Sequence, residues 1–184
     1  MTSIEDICKE KLLIERNLKA CNFFVQAVAK EIGLANSLFS GRADDIVTRM
    51  RSACPPIVFL DANPSAATSY AEDGYFVVGG LESTGMARAS TSGHVFVVVP
   101  GGPSESGLDT PWGYPSRGGQ PYCYHGSLSS RLQTRERLQV DFIFSRVDEG
   151  NVVYAAVKDP RKQSSTKLSS NSYLLKMMGG VAVG

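Results

Sequence analysis

One apolar run, which follows a histidine, constrains the fold of this chain more than any other stretch. Residues 94–99 read His-Val-Phe-Val-Val-Val, so both faces of a strand built from them are apolar. Such strands lie near the centre of a sheet, where neighbouring elements bury both of their faces. We therefore predict a central strand over residues 94–99, with His94 at its start.

Before residue 74 the apolar residues recur at helical spacing. The predicted helices cover residues 4–19, 21–33 and 43–52. Asn17 is expected to break the first helix, and Gly33 to stop the second. Asp44 and Asp45 open the third, where the helix dipole favours negative charge. Residues 63–73 are expected to form a loop or a helical turn.

After residue 74 the pattern becomes that of strands. In addition to residues 94–99, the predicted strands cover residues 75–78, 121–126, 137–147 and 152–157. The first is expected to end at Gly79-Gly80, and a turn over residues 148–151 joins the last two. Residues 100–120 form a predicted long loop, of the kind that often carries function. Helices followed by a mostly antiparallel sheet of about five strands indicate an α+β fold.

The length of 184 residues predicts a single domain over residues 1–184. Residues from about 160 to 184 read as a C-terminal extension. Within it, residues 162–172 are rich in Ser and Lys and are expected to be mobile, and residues 173–178 are a candidate short helix.

The charge balance argues against several classes of function. The formal net charge is only +1, so the chain lacks the basic character of a nucleic-acid or anionic-membrane binder. No apolar run approaches the roughly 20 residues that span a bilayer, and no membrane insertion is expected. The acidic start lacks the features of a signal peptide. We therefore expect synthesis in the cytoplasm, with any export by a signal-independent route.

The chain has four cysteines and two histidines, which are the candidate metal ligands, and the cysteines are also the candidate reactive thiols. No Cys-x-x-Cys pair occurs, and the spacing of a structural zinc site is absent, so no metal or other cofactor is predicted. A disulfide between Cys8 and Cys54 stays open, because pairing cannot be deduced from sequence.

Cys21 opens the second predicted helix. The unpaired N–H groups and the dipole at a helix N-terminus stabilise a thiolate, which is the reactive form of cysteine. The same N–H groups are suited to hold the oxyanion that forms when a carbonyl is attacked. The alternative is that Cys21 is a small buried apolar residue, as most free cysteines are.

His94 opens one predicted strand and His125 lies at the end of the next. If these strands pair antiparallel, both histidines lie at the same end of the sheet. A helix tip packed there brings together a nucleophile (Cys21), a base (His94) and a group that orients the base (His125). Their neighbours in the chain, Asn22, Ser92 and Gly93, are the substrate-binding candidates. Each histidine taken alone is as readily a structural residue.

Four blocks of the sequence carry a resemblance to a known family. They are Cys21-Asn22-x-Phe24-Val25-Gln26-x-Val28-Ala29-x-Glu31-Ile32-Gly33, the stretch from Gly74 to Leu81, the stretch from Gly93 to Val99, and Pro121-Tyr122-Cys123-Tyr124-His125-Gly126-Ser127. In this order the blocks resemble the type VI secretion amidase effectors, which belong to the NlpC-like branch of the papain-like cysteine peptidases. The resemblance extends from about Cys21 to about Phe144.

The resemblance implies an NlpC-like fold and a cofactor-free peptidase of peptidoglycan. It assigns Cys21 as nucleophile, His94 as base and His125 as the third polar residue of the site. It further implies cleavage of the γ-D-glutamyl–meso-diaminopimelate bond, delivery by the type VI secretion machinery into the periplasm of a rival cell, and a cognate immunity protein. The loop of residues 101–120 looks longer than in such relatives.

Two alternatives remain beside the amidase. One is a peptidoglycan-binding module without activity. The other keeps the fold and the thiol chemistry, but acts as a cysteine peptidase or acyltransferase on protein or lipid. The near-neutral charge and the lack of an amphipathic membrane stretch weigh against lipid.

Overall fold

The computed structural model describes residues 1–88 and 90–162, apart from the side chain of Arg131. The helices are α1 (Ile4–Lys11), α2 (Glu15–Leu18), α3 (Cys21–Glu31), α4 (Ala43–Arg51), α5 (Pro64–Glu72), α6 (Val140–Ile143) and α7 (Arg146–Glu149). The strands are β1 (Val58–Asp61), β2 (Phe76–Leu81), β3 (His94–Pro103), β4 (Ser106–Asp109), β5 (Pro115–Arg117), β6 (Pro121–Tyr124), β7 (Leu138–Gln139) and β8 (Val153–Val157). Apart from Lys162, the predicted mobile segment and the predicted last helix fall within residues 163–184, outside the described part.

Six of the strands form one sheet, in the order β1-β8-β2-β3-β6-β7. Every recorded pairing in it is antiparallel. Strand β3 lies between β2 and β6, which confirms the predicted central position of the apolar run. The mixed α+β class with a mostly antiparallel sheet is also confirmed. Strands β4 and β5 form a separate hairpin.

Side chains of β3 alternate between two apolar cores, one on each face of the sheet. Val95, Val97 and Val99 join a core with helices α1, α3 and α4. Phe96 and Val98 join a second core with helices α5 and α6. Helices therefore cover the sheet on both faces. None of the helices in residues 1–88 and 90–162 is long and apolar enough to cross a bilayer.

Helices α3 and α4 confirm two of the predicted helices, and Gly33 follows α3 with a φ of 83°. The first predicted helix is divided, but the break falls between Lys11 and Glu15 and not at Asn17. Asn17 lies buried within α2, where its side-chain amide donates to the Lys11 carbonyl at 3.0 Å.

Residues 63–73 are predicted as a loop or a helical turn, but they contain the longer, nine-residue helix α5. The start of α5 has two features that are typical of a helix N-terminus. The Asn63 side chain accepts the Ala66 N–H at 3.0 Å, and Pro64 occupies the first turn, where a missing N–H costs nothing.

Strand β2 does not end at Gly79-Gly80, because both glycines are paired within the sheet. A Cβ on Gly79 would overlap the Phe96 ring, so the strand needs glycine there. The predicted strand over residues 137–147 is also wrong. Only Leu138–Gln139 pairs with β6, and helices α6 and α7 follow. Consequently β8 forms no hairpin with this segment and lies between β1 and β2. The predicted loop of residues 100–120 contains the hairpin β4–β5.

Candidate active site

The tip of α3 is fixed against the end of strand β6. The Ser127 N–H donates to the Leu18 carbonyl at 2.8 Å. A Cβ on Gly126 would overlap the carbonyl oxygen of Asn17, so the two backbones touch directly. Residues 17–20 lead straight into Cys21, the first residue of α3. The sheet end that carries His125 and the helix that carries Cys21 are therefore joined through backbone atoms.

The two histidines meet as the strand pattern predicts. Strands β3 and β6 are antiparallel, with Val97 opposite Tyr124, so His94 and His125 lie at the same end of the sheet. Nε2 of His94 lies 2.8 Å from Nδ1 of His125. His94 also contacts the Phe144 ring edge to face, with ring centroids 5.8 Å apart. Bonded and packed in this way, the His94 ring has one orientation.

Cys21 and His94 line the same open groove, whose volume is about 990 Å³. The predicted substrate-binding residues Asn22, Ser92 and Gly93 line it as well. His125 is only 1% exposed, and it acts on the groove through its bond to His94.

Burial keeps the thiol and both imidazoles in their neutral forms. The pKa of Cys21 is raised, because burial outweighs the lowering by hydrogen bonds from the N–H groups of Val95, Asn22 and Cys21 itself. Burial, followed by repulsion from His125, lowers the pKa of His94 well below its ordinary value. Burial likewise lowers the pKa of His125 to about 4, against a backbone contact with Gly126 that raises it. The net effect at Cys21 is opposite to the lowering predicted from the helix dipole alone.

The bond between the histidines determines which nitrogen of His94 is left for the thiol. Nε2 is engaged with His125, which leaves Nδ1 as the other ring nitrogen of His94 with a lone pair. For this tautomer, Nε2–H of His94 donates to Nδ1 of His125. The proton of His125 is then on Nε2, a buried atom that has no hydrogen-bond partner among the described residues.

One wall of the groove is a segment we call the groove loop, residues 82–93 with Ala89 outside the described part. Both oxygens of Asp44 on α4 bind Ser83, accepting its N–H at 2.8 Å and its hydroxyl at 2.9 Å. Asp148 on α7 accepts the Ala87 N–H at 2.6 Å. Gly93 ends the loop against Asp44, where a Cβ would overlap the carboxylate. Side-chain carboxylates therefore set the position of this wall.

The β4–β5 hairpin brings two aromatic rings to the groove. The indole N–H of Trp112 donates to the Asp141 carbonyl at 3.1 Å. The Tyr114 hydroxyl accepts the Arg146 N–H at 2.6 Å, and the Arg146 guanidinium lies over the Tyr114 ring at 4.3 Å. The Asp141 carboxylate is buried, and neither oxygen has a hydrogen-bond partner among the described residues. Through the contacts of Trp112 and Tyr114, the hairpin is anchored on α6 and α7.

Asn22 also makes a hydrogen bond within the protein. Its side-chain amide donates to the Gly41 carbonyl at 2.9 Å, which ties α3 to the start of α4. Sequence reasoning missed several groove residues, namely Arg42, Arg88, Trp112 and Tyr114. Trp112 was the one with a signal, as the single tryptophan in a long loop. The others come from separate segments that only the tertiary structure brings together.

All four cysteines are free. Cys8 lies in the first core while Cys54 is exposed, so the disulfide left open from the sequence is not formed. Burial raises the pKa of Cys8 and of Cys123, which leaves them protonated and unreactive. Within the described residues, no three His, Cys, Asp or Glu side chains are placed to hold a metal ion.

No protein-family model matches the sequence, and no curated protein matches it.

Proposed function

We propose that this protein is a cysteine amidase of the NlpC-like, papain-like class that hydrolyses the stem peptides of peptidoglycan. The observation that carries the proposal is that Cys21, at a helix tip, and His94, which is bonded to His125, line the same groove. The resemblance of the four sequence blocks supplies the substrate. It also supplies the favoured bond, between D-glutamate and meso-diaminopimelate.

Hydrolysis proceeds in two stages. Nδ1 of His94 takes the proton of the Cys21 thiol as the sulfur attacks the carbonyl carbon. The N–H groups at the tip of α3 stabilise the oxyanion that results. His94 then passes the proton to the departing amine, which leaves a thioester on Cys21. A water molecule, deprotonated by His94, attacks the thioester, releases the carboxylate product and restores the thiol.

The neutral states of Cys21 and His94 determine when the proton moves in this mechanism. Because burial raises the pKa of Cys21 and lowers that of His94, the resting site is a neutral thiol beside a neutral imidazole. Proton transfer therefore accompanies attack and does not precede it. His125 touches His94 and not the substrate, so it is a positioning residue that keeps the Nδ1 lone pair directed toward the groove.

The proposed setting is antibacterial. The protein is made in the cytoplasm, is exported by the type VI secretion machinery and acts in the periplasm of a target cell. A cognate immunity protein protects the producing cell. These partners follow from the resemblance, and the groove of about 990 Å³ is a suitable place for an inhibitor to bind.

Digestion of purified sacculi, followed by mass spectrometry of the soluble muropeptides, tests the proposal. Wild type is expected to release fragments split between D-glutamate and diaminopimelate, and Cys21→Ala to release none. Cys54→Ala is the matched control, because Cys54 is an exposed free thiol outside the groove. Thermal unfolding checks that Cys21→Ala is folded.

Each other outcome has a defined meaning. Fragments split at the cross-link would keep the amidase and change the bond. Full activity of Cys21→Ala would overturn the mechanism. Binding to sacculi without cleavage would favour the binding-module alternative, and no interaction with sacculi would move the search to protein or lipid substrates.

A further inference from the structure

The groove contains a cation that has no carboxylate partner among the described residues. Arg42 is exposed, lines the groove together with Cys21, and has no ion pair in the described residues. The two acids that follow it in the chain are already engaged. Asp44 binds Ser83 through both oxygens, and Asp45 accepts the backbone N–H of Arg42 at 2.8 Å. Within residues 1–88 and 90–162, no carboxylate therefore neutralises the positive charge of Arg42.

Several bonds fix Arg42 relative to the nucleophile. Asn22 and Gln26, both on the helix that begins with Cys21, donate to the Gly41 carbonyl at 2.9 and 2.8 Å. Gly41 has a φ of +98°, a conformation that suits glycine. On the far side, Nη2 of Arg42 donates to the Thr91 carbonyl in the groove loop at 3.2 Å. The side chain thus spans from α4 to the groove loop near the tip of α3.

A guanidinium held this way retains donors for a ligand. It has five N–H donors in a planar fork that matches a carboxylate. The contact with Thr91 occupies one end of the fork, and a second anionic acceptor suits the remainder. Such charge-assisted bonds are about twice as strong as neutral ones.

We propose that Arg42 binds a free carboxylate of the substrate next to the scissile amide, and that the enzyme selects acidic peptides over their amidated forms. The inference rests on the proposed function. A D-glutamyl residue linked through its γ-carboxyl carries its α-carboxylate beside the bond to be cleaved. Asn22 and Gln26 act as positioning residues, because they hold Gly41 and thereby Arg42.

Two peptides that differ in one group test the selection. They are the L-alanyl-γ-D-glutamyl-diaminopimelate tripeptide and the same tripeptide with the α-carboxylate converted to a carboxamide. Wild type is expected to favour the acid by roughly 10-fold or more in kcat/KM, as a lost charge-assisted bond predicts. Arg42→Gln should lower kcat/KM for the acid by that factor, leave the amide unchanged, and so remove the preference. Arg42→Lys should restore part of it.

Arg135→Gln is the matched control, because it removes one positive charge at an exposed site outside the groove. It is expected to keep the full preference. Equal cleavage of both peptides by wild type, or an equal loss on both in Arg42→Gln, would overturn the inference.

A binding measurement separates this test from the proposed function. Calorimetry with Cys21→Ala should show tighter binding of the acid than of the amide, and the double variant with Arg42→Gln should bind both alike. If wild type cleaves neither peptide, the proposed function fails. The binding comparison then still decides whether Arg42 recognises the carboxylate.

Discussion

The two sides of the groove are held by different kinds of contact. One side carries Cys21, His94 and His125, and we call it the catalytic side after the proposed function. There backbone contacts backbone, as Gly126 lies against Asn17 and the Ser127 N–H binds the Leu18 carbonyl. On the other side, the carboxylates of Asp44 and Asp148 hold the groove loop. The catalytic side therefore has no room for a methyl group on Gly126, whereas much of the loop side is held by side-chain bonds that single substitutions remove. We expect changes on the first side to abolish chemistry and changes on the second to alter substrate binding.

Among the predicted changes, Gly126→Ala should have the largest effect on hydrolysis and on stability. The added methyl would overlap the Asn17 carbonyl and force the end of β6 away from the tip of α3. We expect loss of hydrolysis and a fall of about 3 kcal/mol or more in the free energy of unfolding. Gly150→Ala is the control, because no heavy atom lies within 4 Å of its added Cβ. Urea denaturation and muropeptide release measure both effects, and an active, stable Gly126→Ala would refute backbone contact as the constraint.

Within the catalytic side, the two histidines should differ in importance. His94→Ala removes the base, and we expect a fall in kcat of about 10³-fold. His125→Ala removes only the partner of Nε2 and should cost less, about 10- to 100-fold.

His125→Asn is a sharper probe than alanine. An asparagine oxygen can take the place of Nδ1 as the acceptor, and we expect it to restore part of the rate. Equal losses for alanine at the two positions would show that their assigned roles are reversed. Failure of asparagine to exceed alanine would show that the bond to His94 is not the function of His125.

On the loop side, Asp148→Ala should act mainly on substrate binding. It frees the Ala87 N–H and the Ser145 hydroxyl, so the groove loop loses one of its two carboxylate anchors. We expect KM to rise roughly 5-fold with kcat within about 2-fold, as for a loss of uniform binding. Asp73→Ala, at the exposed C-terminal end of α5, should change neither constant. A fall in kcat with constant KM would place Asp148 with the catalytic side.

The last prediction concerns pH and the buried histidine. The pKa of His125 is about 4 in the folded chain and near 6.5 when unfolded, so folding opposes its protonation. Its contribution to stability is complete above pH 6.5 and falls as the pH drops toward 4. The loss over this window is on the order of 3 kcal/mol. Urea unfolding at pH 7 and pH 5 should show a smaller decrease for His125→Asn than for wild type, and parallel decreases would contradict the assignment.

The sequence predicts the catalytic side better than the rest of the molecule, and the reason is physical. The alternation of buried residues in β3 and β6, with antiparallel pairing, was enough to place His94 beside His125. Residues 137–147 also alternate, with Leu138, Val140, Phe142 and Phe144 apolar, yet they form α6 and α7 after two strand residues. Tertiary packing against the second core outweighed their local pattern.

Local sequence patterns cannot predict which residues form the wall of the groove. Three of its bonds join Arg42 to Thr91, Ser83 to Asp44 and Ala87 to Asp148, across separations of up to 61 positions in the chain. No period or motif encodes such meetings. The position of β8 between β1 and β2 was missed for the same reason, because it depends on the whole sheet.

The location of β8 has a consequence for biosynthesis. Every member of the Cys21–His94–His125 set has been translated by residue 125, yet β1 and β2 lack the strand between them until residue 157 has emerged. Until then one long edge of β2 is unpaired, and such non-local closure is slow. A ribosome-bound chain therefore contains Cys21, His94 and His125 before it has the complete sheet that aligns them. Under the proposed function, hydrolytic activity therefore cannot appear before β8, the last strand in the described residues, has been made.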